Sequence, residues 1–262
     1  MKTSQIAAQL YTVRKFTKTP EDIRNTFKKV RQIGYESVQL SGLGPIDPAE
    51  LKSIGGEYGL KICITHTPYY RIVNDFDNVV KEHKLWQCEC VGLGAMPGVF
   101  EDIPDGFERS REGYRAFARK MSEVAKKYND VGLKFTYHNH NFEFEKYDEV
   151  TGLDILLQES DPHTFVFELD TYWVQAGGAD PVEWIYKVKG RMKVVHLKDM
   201  AIVDGKQVFA EIGEGNLNWD KIIKACEETG VEWYAVEQDV CRRDPFEILK
   251  MSFDYLTKKY CR

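Results

Sequence analysis

Short apolar runs alternate with longer amphipathic segments along the whole chain. Eight of the apolar runs have the length and composition of buried strands. They are residues 5–10, 36–40, 61–66, 90–95, 133–138, 165–170, 193–198 and 233–238. Their apolar positions are mostly continuous, which is typical of strands in a parallel sheet that helices cover. The pattern therefore predicts a parallel α/β fold.

The segments between these runs include four with helical periodicity, which are residues 20–34, 111–130, 219–230 and 246–260. In residues 111–130, apolar side chains recur at spacings of three and four residues, so they share one face of a helix. Thr19 and Pro20 are suited to begin the first helix, and Gly34 to end it.

Eight strands that alternate with helices predict an α/β fold that is a single (β/α)8 TIM barrel, covering residues 1–262. A doubly wound open sheet is the alternative, but it usually carries a glycine-rich phosphate turn after an early strand. The turn after the first predicted strand, YTVRKFTKTP, lacks one. Residues 94–106 form the longest irregular stretch, and we expect a loop there over one end of the barrel.

Composition excludes several classes of function. The net charge is −5, from 36 basic and 41 acidic residues, whereas a nucleic-acid-binding protein needs a basic face. No segment approaches the roughly 18 to 20 apolar residues of a membrane span, and the N-terminal residues do not resemble a signal peptide. The six cysteines include no CxxC pair, which is typical of reduced thiols. We therefore expect a cytoplasmic protein.

Polar side chains cluster at the predicted strand ends, where TIM barrels carry their catalytic groups. Five of the eight strand ends bring a carboxylate or an imidazole, and four of the six histidines lie at these ends. In chain order, the strand-end residues are Gln9, Tyr11, Gln39, His66, Met96, His138, His140, Glu168, Asp170, His196, Lys198, Glu237 and Asp239.

Each of these residues also has an ordinary structural interpretation. A lone strand-end histidine is often only hydrogen-bonded, Asp170 or Asp239 could cap a helix, and Lys198 and Asp199 could form a surface ion pair. Their convergence on one barrel mouth favours a functional site, because adjacent buried carboxylates need a compensating cation. Mixed oxygen and nitrogen ligands without thiolate suit one divalent ion, which we expect to be Mn²⁺, Mg²⁺ or Co²⁺, with Zn²⁺ or Fe²⁺ as further candidates.

The chain resembles the xylose isomerase-like TIM barrels, the sugar phosphate isomerase/epimerase group that also contains apurinic endonucleases. The similarity extends over essentially the whole chain. The matching segments are QLYTVR (9–14), THTPY (65–69), YHNHNFEF (137–144), FELDTYWV (167–174), VVHLKDM (194–200), EIGEGNLNW (211–219) and AVEQD (235–239).

The resemblance implies a metal held by four residues from different strands. Asp170, His196 and Glu237 match three of these ligand positions. For the fourth, strict alignment places His138 at a position that is usually glutamate, whereas Glu143 would keep an oxygen-rich ligand set. Glu143 is the favoured of the two, and His138 stays open as the alternative.

The resemblance also suggests roles for the remaining residues. His140, His138 and Lys198 are the candidates for proton transfer, and Glu143 or Glu237 could serve as the base if either is free. Gln9, Tyr11, His66 and Trp173 are assigned to substrate binding. Several ligands of the multi-zinc endonucleases are absent, since Met96, Trp173, Gln207 and Phe209 occupy their positions. This departure argues against phosphodiester cleavage.

The expected function is therefore a metal-dependent isomerase or epimerase of a sugar or sugar phosphate that acts through an enediolate. The same residues would serve a lyase or dehydratase acting on a keto sugar, keto-inositol or keto-glycoside, and this alternative stays open. A non-catalytic sugar-binding or partner subunit is the third hypothesis. The expected partner is a small carbohydrate, with no nucleic acid or membrane, and a homo-oligomer is not excluded.

Overall fold

A closed barrel of eight parallel strands forms the centre of the computed structural model, which describes residues 1–100 and 106–262. The barrel strands are β1 (Ile6–Gln9), β2 (Ser37–Leu40), β3 (Lys61–His66), β4 (Cys90–Leu93), β5 (Lys134–His138), β6 (Phe165–Asp170), β7 (Met192–Leu197) and β8 (Trp233–Val236). Neighbours in sequence are neighbours in the barrel, and β1 closes it by pairing with β8. The predicted (β/α)8 barrel is confirmed, and every predicted strand ends within two residues of the observed one.

Helices surround the barrel between successive strands. They are α1 (Pro20–Ile33), α2 (Pro48–Tyr58), α3 (Tyr69–Asn74), α4 (Phe76–Trp86), α5 (Arg111–Asp130), α6 (Gly152–Glu159), α7 (Thr171–Ala176), α8 (Pro181–Lys187), α9 (Trp219–Thr229) and α10 (Pro245–Tyr260). The four helices predicted from periodicity are observed with ends shifted by at most one residue. Part of the loop predicted over residues 94–106 lies outside the described residues, because these omit 101–105.

The boundaries of α1 show how local sequence sets an element. The side chains of Thr19 and Asp22 each accept a hydrogen bond from the other residue's backbone N–H, and Pro20 is the first helical residue. Gly34 ends the helix with φ of 126°, a conformation that L side chains rarely adopt. An ideal Cβ atom at this position would lie 2.5 Å from the Phe253 ring, so glycine is also required for packing against α10.

The barrel interior is layered. Ala7, Val194 and Ala235 are fully buried in an apolar layer toward the amino ends of the strands. Two residues further along the chain from these three stand Gln9, His196 and Glu237, the last of them directly after β8. Since alternate residues of a strand face the same way, these polar side chains form the next layer toward the carboxyl ends. The fold therefore collects polar groups in the upper half of the barrel.

Two short antiparallel hairpins lie outside the barrel. One pairs Lys146–Tyr147 with Val150–Thr151, and the other pairs Asp199–Val203 with Lys206–Ala210. The second hairpin, which the sequence did not predict, begins directly after β7 and Lys198. Among the described residues, no helix combines the length and apolarity that a membrane crossing requires.

Candidate metal and catalytic site

Four residues from consecutive strands meet inside the carboxyl end of the barrel. His138 is on β5, Asp170 on β6 and His196 on β7, while Glu237 directly follows β8. Each offers one ligand atom, and these four atoms lie within 4.8 Å of one another. All four residues are buried. We call His138, Asp170, His196 and Glu237 the ligand group.

The distances within the ligand group suit a compact metal site. Asp170 Oδ2 lies 3.3 Å from His138 Nε2 and 3.7 Å from His196 Nδ1. Glu237 Oε2 lies 3.0 Å from the same His196 nitrogen. Two imidazoles and two carboxylates without thiolate are a donor set that several divalent first-row metals accept. The ligand group could therefore hold one divalent ion.

Lys198 lies beside the ligand group and is fully buried. Its Nζ is 2.8 Å from Asp170 Oδ2, 2.7 Å from Glu237 Oε2 and 2.7 Å from Asp239 Oδ2. Burial disfavours the charged ammonium, but these carboxylates raise the pKa of Lys198 well above its ordinary value. The interpretation of Lys198 and Asp199 as a surface ion pair is wrong, because both side chains are buried and Asp199 instead accepts a hydrogen bond from Trp219 Nε1.

The charges of the ligand group are mutually compensated. Burial opposes ionisation of Asp170 and Glu237, yet Lys198 lowers the pKa of both carboxyls well below their ordinary range. Burial likewise opposes protonation of His196, but Glu168 and Glu237 raise its pKa well above the usual value. The two carboxylates of the ligand group are thus favoured in their ionised form, and nearby cationic groups balance their charge.

Further polar side chains hold the ligand group in place. Asp170 Oδ1 accepts a hydrogen bond from Trp173 N, so Asp170 also caps α7 while its Oδ2 stays within the ligand group. Gln9 Nε2 donates to Glu237 Oε1 at 2.7 Å. His196 Nε2 lies 2.8 Å from Gln39 Oε1. Gln9, predicted to bind substrate, therefore contacts a candidate metal ligand directly.

Glu168 is a buried carboxylate for which the sequence suggested no role. Its Oε2 lies 2.7 Å from His66 Nε2, and its Oε1 lies 3.0 Å from His196 Nε2. Burial opposes its ionisation, but His196 and His66 lower its pKa. With these histidines it forms a second group whose ligand atoms lie within 4.8 Å. Its position two residues before Asp170 on the same strand face is the sequence signal for its location.

A cavity of about 520 Å³ opens above the ligand group. The predicted substrate-binding residues Tyr11, His66 and Trp173 line it. So do His138, His140 and Glu237, together with Arg14, Ser41, Gly94, Ala95, Phe100, Asn141, Phe142, Asp239 and Val240. The walls combine aromatic rings with polar groups, which suits a sugar because its apolar face packs on an aromatic ring.

His140 stands in this cavity among aromatic rings. Its imidazole is nearly parallel to the Phe142 ring, with centroids 5.4 Å apart, and contacts Phe100 and Trp173. Its Nδ1 is buried and has no hydrogen-bond partner among the described residues. Burial, together with His138 and Lys198, lowers the pKa of His140 well below its ordinary value. The surroundings of His140 therefore favour its neutral form.

The structure does not bring Glu143 to the ligand group. Its Oε1 accepts a hydrogen bond from the Tyr137 hydroxyl at 2.5 Å, and its Oε2 accepts one from His140 N at 2.9 Å. Tyr137 packs against Phe117 of α5, on the outer face of the strand that carries His138 on its inner face. Of the two alternatives for the fourth ligand, His138 is the one beside Asp170, His196 and Glu237.

Comparison with known proteins places these features in context. Residues 27–259 match the family described as xylose isomerase-like TIM barrel. The rhizopine catabolism protein MocC of Rhizobium meliloti is 24% identical over 90% of this chain and 81% of that protein. An inosose dehydratase of Geobacillus kaustophilus is 28% identical over 88% of this chain and 85% of that protein.

Solved structures have the same fold. A sugar phosphate isomerase/epimerase from Parabacteroides distasonis superposes with a TM-score of 0.78 and 23% identity. The superposition covers 99% of this chain and 96% of that chain. At this level of identity the likeness concerns the fold alone.

Proposed function

The chain belongs to the xylose isomerase-like TIM barrel family, and we propose that it is a divalent-metal-dependent enzyme that removes a proton beside the carbonyl group of a keto sugar or keto cyclitol. The observation that carries this proposal is the arrangement of the site. Two members of the ligand group, His138 and Glu237, line a cavity of about 520 Å³, and the His140 imidazole stands in the wall of the same cavity.

The four donor atoms limit which divalent metals fit the site. A divalent ion held by His138, Asp170, His196 and Glu237 would act as a Lewis acid and stabilise the negative charge that develops on the substrate oxygen. Two imidazole ligands favour Mn²⁺, Co²⁺, Fe²⁺ or Zn²⁺ over Mg²⁺, which prefers an all-oxygen shell. Because His138 stands where a third carboxylate could be, the ligand group has two negative charges, which match the charge of a divalent ion.

His140 is the best candidate for the general base. The carboxylates of Asp170 and Glu237 have partners on both oxygens, whereas His140 Nδ1 has none among the described residues. A neutral imidazole that lines the cavity can take the carbon-bound proton and return it. Lys198 does not line the cavity, so we assign it to charge compensation behind the ligands and not to proton transfer.

Dehydration is the outcome that we favour. His140 takes the proton, the C–H electrons form a C=C bond, and the C–O bond at the next carbon breaks as the oxygen leaves with a proton as water. Asp239 lines the cavity from the end of β8 and is the candidate donor of that proton. The inosose dehydratase relative, 28% identical over most of both chains, supports this outcome.

Isomerisation or epimerisation is the second candidate. His140 and Asp239 lie at the ends of different strands, β5 and β8, and both line the cavity. A proton removed by one and returned by the other could reach the opposite face of the carbon and invert it. The same residues would therefore serve either outcome.

The experiment is proton exchange in D₂O. The protein is loaded with Mn²⁺, incubated with an inosose and with a panel of ketoses, and followed by NMR spectroscopy and mass spectrometry. Deuterium at the carbon beside the carbonyl, followed by a product that lacks one water, is the expected result. Exchange with an isomer as product would support the second candidate. Failure to bind Mn²⁺, with no exchange in any compound, would refute the proposal.

A further inference from the structure

Glu143 is a buried carboxylate that takes no part in the ligand group. It is fully buried, although it belongs to a short turn of 3-10 helix at Phe142–Phe144. A buried carboxylate is costly unless it is hydrogen-bonded. The partners of Glu143 are the Tyr137 hydroxyl on its Oε1 and the His140 backbone N–H on its Oε2. The side chain therefore joins the end of β5 to the residue that carries the proposed base.

The opposite side of the same peptide segment is also held. Asn139 Nδ2 donates to the His140 carbonyl at 3.2 Å, while Asn139 Oδ1 accepts from Asp170 N at 3.0 Å. Asn139 is fully buried. The backbone of His140 is thus fixed at its N–H by Glu143 and at its C=O by Asn139. The His140 side chain, in contrast, makes no hydrogen bond among the described residues at its buried Nδ1.

We propose that Glu143 is a positioning residue for His140. It holds the backbone of the segment after β5 so that the imidazole stacks on Phe142 in the wall of the cavity. This role rests on the proposed function, because it assumes that His140 is the base. It differs from a ligand role for Glu143, which would require one carboxylate oxygen to leave Tyr137 or the His140 N–H.

The rate of proton transfer depends steeply on the position of the base relative to the carbon-bound proton. A displacement of about 1 Å from the reactive geometry can cost roughly 100-fold in rate. A side chain that accepts no hydrogen bond at residue 143 would leave the His140 N–H buried and unpaired. The segment would then shift to find another acceptor, and the imidazole would move with it. The ligand group would be unaffected, because its atoms do not contact Glu143.

The test compares Glu143→Leu with Glu143→Gln. Leucine keeps the bulk of the side chain but removes both acceptors. In E143Q, the amide oxygen can still accept from His140 N while the amide nitrogen donates to the Tyr137 oxygen. The matched control is Glu145→Leu, because Glu145 is an exposed carboxylate in the same segment. Mn²⁺ affinity is measured by calorimetry, deuterium exchange into an inosose by NMR, and the His140 ring by NMR of histidine-labelled protein.

We expect E143L to bind Mn²⁺ as the natural chain does and to exchange inosose protons about 100-fold more slowly at saturation. Its KM should be little changed, and its His140 ring signals should shift or broaden. E143Q should bind Mn²⁺ normally and lose less rate than E143L. E145L should match the natural chain in all three measurements.

Two results would overturn the proposal. Loss of Mn²⁺ affinity in E143Q, with E145L normal, would make Glu143 a metal ligand. Unchanged exchange and unchanged His140 signals in E143L would remove the positioning role. If E143L does not fold, Tyr137→Phe replaces it, since it deletes one of the two hydrogen bonds and keeps the ring. Unchanged His140 signals and exchange in Y137F would then refute the proposal.

Failure of the proposed function would be recognised separately. In that case the natural chain itself would neither bind Mn²⁺ nor exchange inosose protons. The His140 ring signals of E143L, or of Y137F, would still report whether residue 143 fixes the imidazole.

Discussion

At the scale of single residues, the local environment decides which histidines of the site carry a charge. His140 packs against Phe100, Phe142 and Trp173, and no carboxylate is within hydrogen-bonding distance of its ring among the described residues, so its surroundings favour the neutral form. His196, in contrast, has carboxylates near both ring nitrogens, which favour its charged form. The same residue type is therefore driven toward opposite charge states at two positions of one site.

Removing one ligand charge should abolish metal binding. Asp170→Asn and Glu237→Gln each replace a buried carboxylate of the ligand group with an amide of the same shape. Each should weaken Mn²⁺ binding at least 100-fold in calorimetric titration, while circular dichroism shows an intact fold. Glu145→Gln, an exposed change, is the control. Normal Mn²⁺ affinity in both variants would mean that the ligand group is assigned incorrectly.

Replacing the proposed base should separate chemistry from metal binding. His140→Gln should reduce deuterium exchange into an inosose by about 10²- to 10⁴-fold and leave Mn²⁺ affinity unchanged. The control is His163→Gln, because His163 is exposed. An H140Q variant that exchanges protons at the natural rate would show that another group is the base.

Glu143 should make stability depend on pH. Burial raises its pKa from 4.5 to about 7, against the opposing hydrogen bonds from Tyr137 and His140 N. The folded protein holds this proton where the unfolded chain has lost it, so the contribution is full below pH 4.5 and is lost as pH rises through about 7. E143Q lacks this titration.

The free energy of unfolding of E143Q relative to the natural chain should therefore increase between pH 5 and 7, by up to about 1 kcal/mol per pH unit. Urea unfolding at several pH values measures it. Parallel pH profiles of the two proteins would contradict the raised pKa.

At the scale of elements, the ends of the strands carry the candidate site, and the segments that follow them are held by specific hydrogen bonds. The residues at and just after the carboxyl ends of β5 to β8 supply the whole ligand group. The hairpin at Asp199–Val203 and Lys206–Ala210 follows β7 directly. Its first residue, Asp199, accepts hydrogen bonds from the backbone of Gly213, Gly215 and Leu217. The EIGEGNLNW segment is thus explained as a loop folded around one buried carboxylate.

The end of α1 offers a test of packing at an element boundary. Gly34→Ala should destabilise the protein by several kcal/mol, because it combines positive φ with a Cβ atom 2.5 Å from the Phe253 ring. Gly190 also has positive φ, at 82°, but nothing lies within 4 Å of an added Cβ. Gly190→Ala should therefore cost only about 1 kcal/mol. Urea unfolding of both variants measures the difference. Equal losses of unfolding free energy would show that the Phe253 ring moves aside at little cost.

At the scale of the whole molecule, barrel closure brings together residues that are far apart in the chain. Gln9 and Glu237 are separated by 228 positions and share a hydrogen bond because β1 pairs with β8. The ligand group likewise draws on four strands, so it exists only in the folded barrel. A metal held there would bind the folded state alone.

Metal binding should therefore raise thermal stability. Free Mn²⁺ at about 100 times its dissociation constant should add about 3 kcal/mol, which raises Tm by roughly 5–10 °C for a chain of this size. A chelator should reverse the shift. D170N should show no shift, and the same increase in D170N would indicate that Mn²⁺ stabilises the protein at another site.

The sequence by itself determined the fold and indicated most of the residues of the candidate site. Continuous apolar runs and helical periodicity are local properties, so they predicted eight strands with polar residues clustered at their carboxyl ends. The resemblance then indicated Asp170, His196 and Glu237 as candidate ligands. The assignment to the xylose isomerase-like TIM barrels, made on motifs, is confirmed by the family match over residues 27–259. The extent of the single domain, the cytoplasmic location and the oligomeric state stay predictions.

Only the tertiary structure decided which side chains meet. Beyond the last residue of β5, the alternation of a strand no longer fixes direction, so sequence could not tell whether Glu143 or His138 reaches the other ligands. The turn after His138 directs Glu143 to Tyr137, on the outer face of the strand. The carboxylate partners of Lys198, above all Asp239, 41 positions away, are adjacent to it only after the barrel closes, so the sequence could not show its ion pairs. Long-range contacts of this kind depend on the path of the whole chain, which local patterns do not encode.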